Sequence, residues 1–522
     1  MPGQLIPVGP FTGGLNTFSD PSTLLQNELA VAQNVELDFD GSIKSRPPFT
    51  DEGINFPLGS TGNINLLGYY YDSSGTAYLI ANNGLDNTYY FTGSTWASVF
   101  GSGGTGKFAA SAITQYDGKL WMVAPIGSSN PGGYWVLGSG FTAQSNMPKG
   151  STILAHKDRL WVSYGSTSTP TRLYYSNVLG DPLGLWVASP DFLDVGYGDG
   201  QSIVQIIVYF NGLLIFRSRS IYSFSYSDDP AAGTLSQVIG GIGLANKESV
   251  VQYESYIYFL FDDRAYEFTN GRAAQLNVKV PFRSNGSASI YLDSAVSEFN
   301  RRIIFSHYDT MYVFSLQTRT WTVWKTSAYG SIGKIVKRET EDFEAKAYAH
   351  SSTVVASGGT RNAKTLAISD LIDATAGETM SCIIQTKNFD YNASSIYKRL
   401  FWWGADISAK GTITATASPV SYSQNVTWGD FLSPTPQITW GNLLSYTWGQ
   451  PQTPQDLVIT VRETSGTTPG RKFLKFLKSL RFRQINFKIS TTIDGTSDTA
   501  PMRIFSLSTF VNAKETVAKA IT

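Results

Sequence analysis

A polar turn followed by a short apolar strand recurs along this chain. The clearest copy is Tyr116-Asp117-Gly118-Lys119-Leu120-Trp121-Met122-Val123. Others are His156-Lys157-Asp158-Arg159-Leu160-Trp161-Val162-Ser163, Phe210-Asn211-Gly212-Leu213-Leu214-Ile215-Phe216, Tyr253-Glu254-Ser255-Tyr256-Ile257-Tyr258-Phe259 and Phe299-Asn300-Arg301-Arg302-Ile303-Ile304-Phe305. Weaker copies sit at 76–80 and 344–348. With Tyr78, Trp121, Trp161, Leu214, Ile257, Ile303 and Ala347 as anchors, the period is roughly 40 to 53 residues, near the one-blade repeat of β-propellers. An Asp-Gly or Asn-Gly pair supplies positive φ at little cost, so the chain turns tightly. The strand after the turn is apolar on both faces, which predicts an interior strand of a blade. A further strand often follows, as at Tyr134-Trp135-Val136, Leu173-Tyr174-Tyr175, Ile221-Tyr222-Ser223-Phe224 and Met311-Tyr312-Val313-Phe314. One unit cannot bury its own apolar face, whereas several stacked radially can. The pattern predicts a propeller over 60–371 with six or seven blades. The count stays open because the last unit is weak and a strand from the N-terminal segment can complete a blade.

The flanks follow different patterns. Residues 1–59 read as an arm with a short helix and a hairpin. Asp20 can cap the helix and Pro21 suits its first position. Leu24, Leu25, Leu29, Ala32 and Val35 follow at roughly helical spacing. The run from Asn34 to Pro48 predicts two strands around an Asp40-Gly41 turn. A small, polar stretch at 371–379 reads as a boundary. Beyond it, strands at 381–389, 397–407, 412–417, 457–462, 482–489 and 503–508 predict a C-terminal β-sandwich-like domain over 380–512, with 513–522 as a tail. The fold class expected is all-β: an N-terminal β-propeller followed by a C-terminal β-sandwich.

Composition narrows the function classes. Aromatics make up 13% of the 522 residues and charged residues only 15%, with 49 Gly, as an all-β chain rich in turns requires. The formal net charge is zero, which argues against a protein that grips nucleic acid but leaves room for a surface past which nucleic acid slides. The single Cys382, beside Ile383 and Ile384, allows neither a disulfide framework nor a Cys-based metal site and reads as a small buried hydrophobe. Met1-Pro2-Gly3-Gln4 has neither the basic region nor the apolar core of a signal peptide, and no window approaches the ~18 apolar residues of a membrane helix. Synthesis and folding in a cytoplasm are expected, with no membrane span.

Convergent catalytic chemistry is hard to find. His156, His307 and His350 lack metal-ligand spacing. A propeller glycosidase needs two facing carboxylates; Asp191, Asp194, Asp262, Asp263, Glu298 and Glu341 are present but nothing pairs them, and the sialidase Asp box does not repeat. Asp38-Phe39-Asp40-Gly41 lacks the later ligands of a calcium loop. Gly101-Ser102-Gly103-Gly104-Thr105-Gly106-Lys107 departs from a phosphate loop because Phe108 follows the Lys, and it reads as an inter-blade linker. The expectation is no enzyme, no metal and no cofactor. Two features point to contact surfaces instead. Val426-Thr427-Trp428-Gly429, Ile438-Thr439-Trp440-Gly441 and Tyr446-Thr447-Trp448-Gly449 form a small repeat; Trp428, Trp440 and Trp448 either pack on their own domain or anchor a subunit or glycan contact, with base stacking as a third reading. Arg471, Lys472, Lys475, Lys478 and Arg481 form the one basic amphipathic run, which reads as a short helix, as a solvated strand edge guarded by Lys, or as a DNA-facing or membrane-surface segment. Long insertions such as 180–200 map to loops on one propeller face and are candidate contact surfaces.

The run Gly13-Gly14-Leu15-Asn16, then Asp20-Pro21, Asn34-Val35, Asp40-Gly41-Ser42-Ile43 and Arg46-Pro47 resembles the N-terminus of bacteriophage tail proteins. It is similar to the tail nozzle (tail tubular protein B) family of short-tailed phages and to related propeller-containing minor tail proteins of long-tailed phages. The strand opening Tyr397-Lys398-Arg399 and a late Lys such as Lys514 resemble the domain that follows the propeller there. The resemblance implies a structural virion protein, made in the host cytoplasm and located in the phage tail. It implies a homo-oligomeric ring, hexameric in a nozzle or trimeric at a long tail's tip. Such a ring contacts other tail proteins and retains and then passes genomic DNA during ejection. The alternatives are a tail-tip propeller that binds a host receptor or surface glycan, and a propeller glycoside hydrolase.

Overall fold

The computed structural model describes residues 4–56, 65–101, 106–164, 169–282, 294–307, 310–326, 331–338, 346–353, 362–368, 378–391, 398–408, 411–420, 455–461, 472–482, 484–493 and 502–513. Among these it is almost entirely β, with one 3-10 turn at Pro230–Ala232. Seven antiparallel four-stranded units follow one another. Blades 1 to 6 span 65–98, 112–143, 152–194, 203–240, 250–275 and 295–325. Blade 7 takes Ser331–Arg338, Lys346–Thr353 and Asn362–Ile368 from its own stretch of chain and its outermost strand, Phe49–Asn55, from the N-terminal segment. The blade count is therefore seven, and the last repeat looked weak because one of its strands comes from elsewhere in the sequence.

Every anchor of the repeat lies on the second strand of a blade. Trp121 is in Lys119–Val123, Trp161 in Arg159–Ser163, Leu214 in Gly212–Arg217 and Ala347 in Lys346–Thr353. The hairpin before that strand is tight because its residues take positive φ: Asp117 and Gly118 at 52° and 66°, Lys157 and Asp158 at 47° and 56°, Asn300 and Arg301 at 47° and 61°. Side chains on the second strand then insert into both neighbouring blades. Tyr70 and Ile80 meet Leu120 and Met122 between blades 1 and 2. Trp121 meets Leu160, Trp161 meets Leu213, and Phe216 meets Phe259 at the next contacts around the ring. Ile304 packs with Ala347 between blades 6 and 7, and Ala367 with Leu66 and Leu79 between blades 7 and 1. The ring is thus closed by packing as well as by strand pairing, with each fully buried large side chain contributing about 1.5–3 kcal/mol.

The predicted helix over 20–35 does not form. Asp20 does accept from Ser22 N at 2.8 Å, but only one turn follows, and Glu28–Gln33 is a strand. The three-residue spacing of Leu29, Ala32 and Val35 has another origin. The pairing with Met380–Thr386 shifts register between Leu29 and Val31, and Asn34 adopts φ 55°. Each irregularity resets the alternation, so positions three apart all turn inward. The hairpin is as expected, Val35–Leu37 pairing with Ile43–Ser45 around Gly41 at φ 76°.

The N-terminal segment is also not a separate arm. Gln4–Val8 and Ile43–Ser45 both pair with Arg503–Ala513, in a sheet ordered Lys472–Phe482, Lys398–Ser408, Arg503–Ala513, Ile43–Ser45, Val35–Leu37. Glu28–Gln33 joins the facing sheet beside Met380–Thr386, which continues through Gln484–Ile493 and Gly411–Val420 to Gln455–Val461. Val35, Ile43, Ile384, Ala405, Ile413 and Ile489 form the core between the two layers. The sandwich therefore joins residues from both ends of the chain, and the propeller is inserted between them. The facing sheet also runs into blade 6, since Gln33 pairs with Val323 of its outermost strand.

Where chain enters and leaves the propeller lies a buried ion pair. Arg46 Nη2 and Glu378 Oε1 are 2.6 Å apart and neither side chain is exposed. Arg46 also donates to Asn34 Oδ1 at 3.0 Å, Pro47 O at 2.8 Å and Lys325 O at 3.0 Å, and its guanidinium lies over the Phe49 and Trp324 rings. Asn34 Oδ1 accepts from Lys325 N as well, and its amide donates to Ser381 O at 2.8 Å. Cys382 is fully buried against Asn34, and burial pushes its thiol up to about 12. Removing one member of a buried ion pair leaves an uncompensated charge, at a cost of about 3–5 kcal/mol. Arg46→Met and Glu378→Met should each lower the denaturant midpoint by a shift of that size. The double variant should recover most of the loss, since apolar replacement of both partners is often neutral. Additive losses in the cycle would show that the two side chains act separately.

Candidate interaction surfaces

The propeller axis is the usual place to look for a ligand, and here it is crossed by chain. Residues 246–248 connect blades 4 and 5. Lys247 Nζ donates to Ser111 O, which begins blade 2, and Gln205 of blade 4 donates to Lys247 O at 3.1 Å. Glu248 pairs with Lys334 of blade 7 at 2.8 Å, and Asn246 donates to Ser294 O ahead of blade 6 at 2.8 Å. Burial holds the Lys247 ammonium below its ordinary value. Blades 2 and 5 stand on different sides of the ring, so this contact spans the axis and ties the inner strands together. Nothing in the sequence marked it, because a Lys in a polar connector reads as solvated.

The carboxylates considered for catalysis have structural duties. Asp194 faces Arg172 at 3.8 Å, Glu298 pairs with Lys337 at 3.7 Å and accepts from Arg301 N, and Asp262 and Asp263 form a hairpin turn at φ 53° and 58°. Asp38 and Asp40 each lie 3.2 Å from Arg503 Nη2. That arginine occupies the place a cation would need. Among the described residues no three metal-binding side chains cluster. Glu341 lies outside the described residues. His307 ends a strand of blade 6 and His350 sits in the second strand of blade 7. Gly101 and Lys107 flank the connection from blade 1 to blade 2, as a linker should. Two cavities at the sandwich, about 50 Å³ beside Glu36 and Arg302 and about 200 Å³ beside Pro7 and Phe505, are smaller than the ~300 Å³ expected of a ligand pocket.

What the structure offers instead is surface. The basic run forms the strand Lys472–Phe482, which pairs only with Lys398–Ser408 among the described residues and so is a sheet edge. Lys472, Lys475, Lys478 and Arg481 all lie on it; Arg471 and Trp428, Trp440 and Trp448 lie outside the described residues.

A second surface is built by the loops of blades 3 and 4. The insertion at 176–191 joins the last two strands of blade 3, and Leu179 N donates to Asp158 O of the hairpin at 3.1 Å. Leu183 is 76% exposed and Phe210 68%, with Val178, Leu179 and Phe192 also exposed. Beneath them His156 meets Tyr226 edge-on at 5.6 Å, and Lys157 lies 4.6 Å from the centre of the Tyr226 ring. Burial pushes the Tyr226 hydroxyl up to about 12. Arg217, fully buried, pins the neighbouring stretch through Asp199 and Gln201 O. Gly196 at φ 64° is required there, because a Cβ would fall 2.0 Å from the guanidinium.

No family model and no curated protein matches this chain. Solved structures similar to it are propellers or contain them. The extracellular domain of a hybrid two-component system of B. thetaiotaomicron is 12% identical over 70% of this chain and 45% of its own length, with a TM-score of 0.43. The β-propeller domain of Myceliophteria thermophila Cps50 (Swd1) is 10% identical over 61% of this chain and 99% of its own, at 0.38. YCF48, solved with a D1 peptide, is 8% identical over 60% and 95%, at 0.39. The chain spans less than half the length of the first of these. At such identities the likeness concerns fold alone.

Burial and the adjacent Lys157 hold the His156 imidazole below its ordinary value. A group whose pKa is lower in the folded state resists protonation there, so acid favours the unfolded chain. The stability it contributes is complete above about pH 6.5 and is lost as pH falls toward the depressed folded value. Denaturant melts between pH 7.5 and 5 should show this loss, and His156→Gln should flatten it. An unchanged slope in the variant would assign the acid sensitivity to other groups.

Proposed function

We propose that this chain is a structural component of a bacteriophage tail, assembled with copies of itself into a ring at the nozzle or tail tip, past which genomic DNA is retained and then ejected. The observation that carries the reading is the joint between the two domains. Several of the residues that resemble tail proteins, Gly14, Asn16, Asn34 and Arg46, have strained or buried duties at that joint. Gly14, at φ 72°, lies so close to Thr320 of blade 6 that a Cβ would fall 2.7 Å from its side chain. Asn16 donates to Glu28 at 3.1 Å, and Asn34 and Arg46 hold the buried network. The part of the resemblance at these positions speaks for a shared two-domain architecture, since these side chains serve the joint. A rigid two-domain body with a crossed axis and large exposed loops suits a building block.

The long loops of blades 3 and 4 favour one further reading, contact with a host surface. Tyr197 is 85% exposed, and Arg172 lies over the exposed Phe192 ring at 4.1 Å, aromatic surface open to a sugar face.

Purified phage particles provide the test. The chain should be present in them at a fixed multiple, labelled at one end of the tail. Particles made without it should fail to hold or release their DNA. Its absence from particles that eject normally would sink the virion reading. Saturable binding to host cells, lost on Tyr197→Ala, would establish the host-surface reading instead.

A further inference from the structure

The geometry points to a contact between two copies of this chain: the basic edge strand Lys472–Phe482 of one copy docks on the acidic, apolar loop face of blades 3 and 4 of the next. This rests on the ring reading above, and it names the two surfaces that would meet.

Both surfaces are incomplete alone. Lys472–Phe482 is eleven residues long and pairs on one side only among the described residues. Among the described residues no strand pairs with its other side, the arrangement of a sheet edge. Its sequence interleaves Lys472, Lys475, Lys478 and Arg481 with Phe473, Leu474, Phe476 and Leu477. The loop face has the complementary character. Leu183, Phe210, Val178 and Leu179 are exposed there. Asp158, Asp181, Asp191, Asp228 and Asp229 surround them, and none is in an ion pair among the described residues. The two nearby cations are turned inward: Lys157 to the Tyr226 carbonyl and ring, Arg159 to Ser176 O at 2.7 Å.

Topology decides between partners. The sandwich grows from the outermost strand of blade 6. Blade 3 lies three blades away in a ring of seven, at roughly 50° per blade. The two surfaces thus face different directions and cannot meet within one chain. Two different patches on well-separated sides form a heterologous contact, the kind that closes a ring.

Charge reversal on the full chain tests this, read by light scattering at low salt. Wild type should form a defined oligomer that dissociates as salt rises. Lys475→Glu with Lys478→Glu should give monomer, and so should Asp191→Lys with Asp228→Lys. All four changes in one chain should restore the oligomer. Near-ultraviolet circular dichroism establishes that each variant is folded. For a variant that is not, single cysteines serve instead: a Lys475→Cys copy mixed with an Asp191→Cys copy should be joined by a short bis-maleimide, with the buried Cys382 silent. A wild type that stays monomeric at tens of micromolar, an oligomer indifferent to either reversal, or no cross-link overturns the contact. If the Lys reversal releases bound DNA and leaves the oligomer intact, the edge strand faces nucleic acid and the contact is likewise overturned. Such results leave the virion reading standing, because that reading fails only on particles.

Discussion

The architecture depends on one buried charge pair. Arg46 and Glu378 meet at the point where the chain passes from sandwich to propeller and back. Two charges out of water are costly, and their mutual attraction offsets this only when the remaining hydrogen-bonding groups are also satisfied. Here Asn34, Pro47 and Lys325 accept from the Arg46 guanidinium and Phe49 N donates to Glu378 Oε1, while Glu378 Oε2 has no partner among the described residues. Such a network tolerates little rotation, because a small shift would strand several buried polar groups at once. The two domains are thereby locked to one another, where a polar linker would have let them swing.

The propeller is closed at two radii. At the circumference, a strand from the N-terminal segment completes blade 7. At the axis, Lys247 and Glu248 bridge blades that share no strand pairing. A body closed in both places has little interior left for small-molecule chemistry, which moves attention to the loops and to the free sheet edge. Gly196 and Arg217 hold the 196–201 connector against blade 4, and Leu179 N ties the 176–191 loop to the Asp158 carbonyl.

The periodicity of the sequence was enough to locate all seven second strands, because their apolar residues are buried on both faces. It failed where the alternation was broken. Leu29, Ala32 and Val35 imitate a helix only because a register shift and the left-handed Asn34 interrupt their strand. The partner of Arg46 was also hidden: Glu378 lies at the end of a small, polar stretch that reads as a domain boundary. Long-range pairing escaped for the same reason, since nothing local in Gln4–Val8 indicates Val511 as its neighbour. Of the candidate surfaces, the basic run could be read directly as a guarded strand edge. The acidic loop face could not, because its carboxylates come from three separate loops.

The chain order of the pairing has a consequence for biosynthesis. Gln4–Val8 leaves the ribosome about 500 residues before its partner Arg503–Ala513. Phe49–Asn55 likewise waits for Asn362–Ile368. Blades 1 to 6 can collapse in sequence as they emerge, but the ring cannot close before Asn362–Ile368 is made, and the sandwich cannot close before Arg503–Ala513. For that interval the nascent chain carries unpaired, apolar strand edges at its leading end, the state most open to misassociation with neighbouring chains on the same message. Yield of the folded protein should therefore be governed by how well that early segment is shielded in the cell, more than by the stability of the finished molecule.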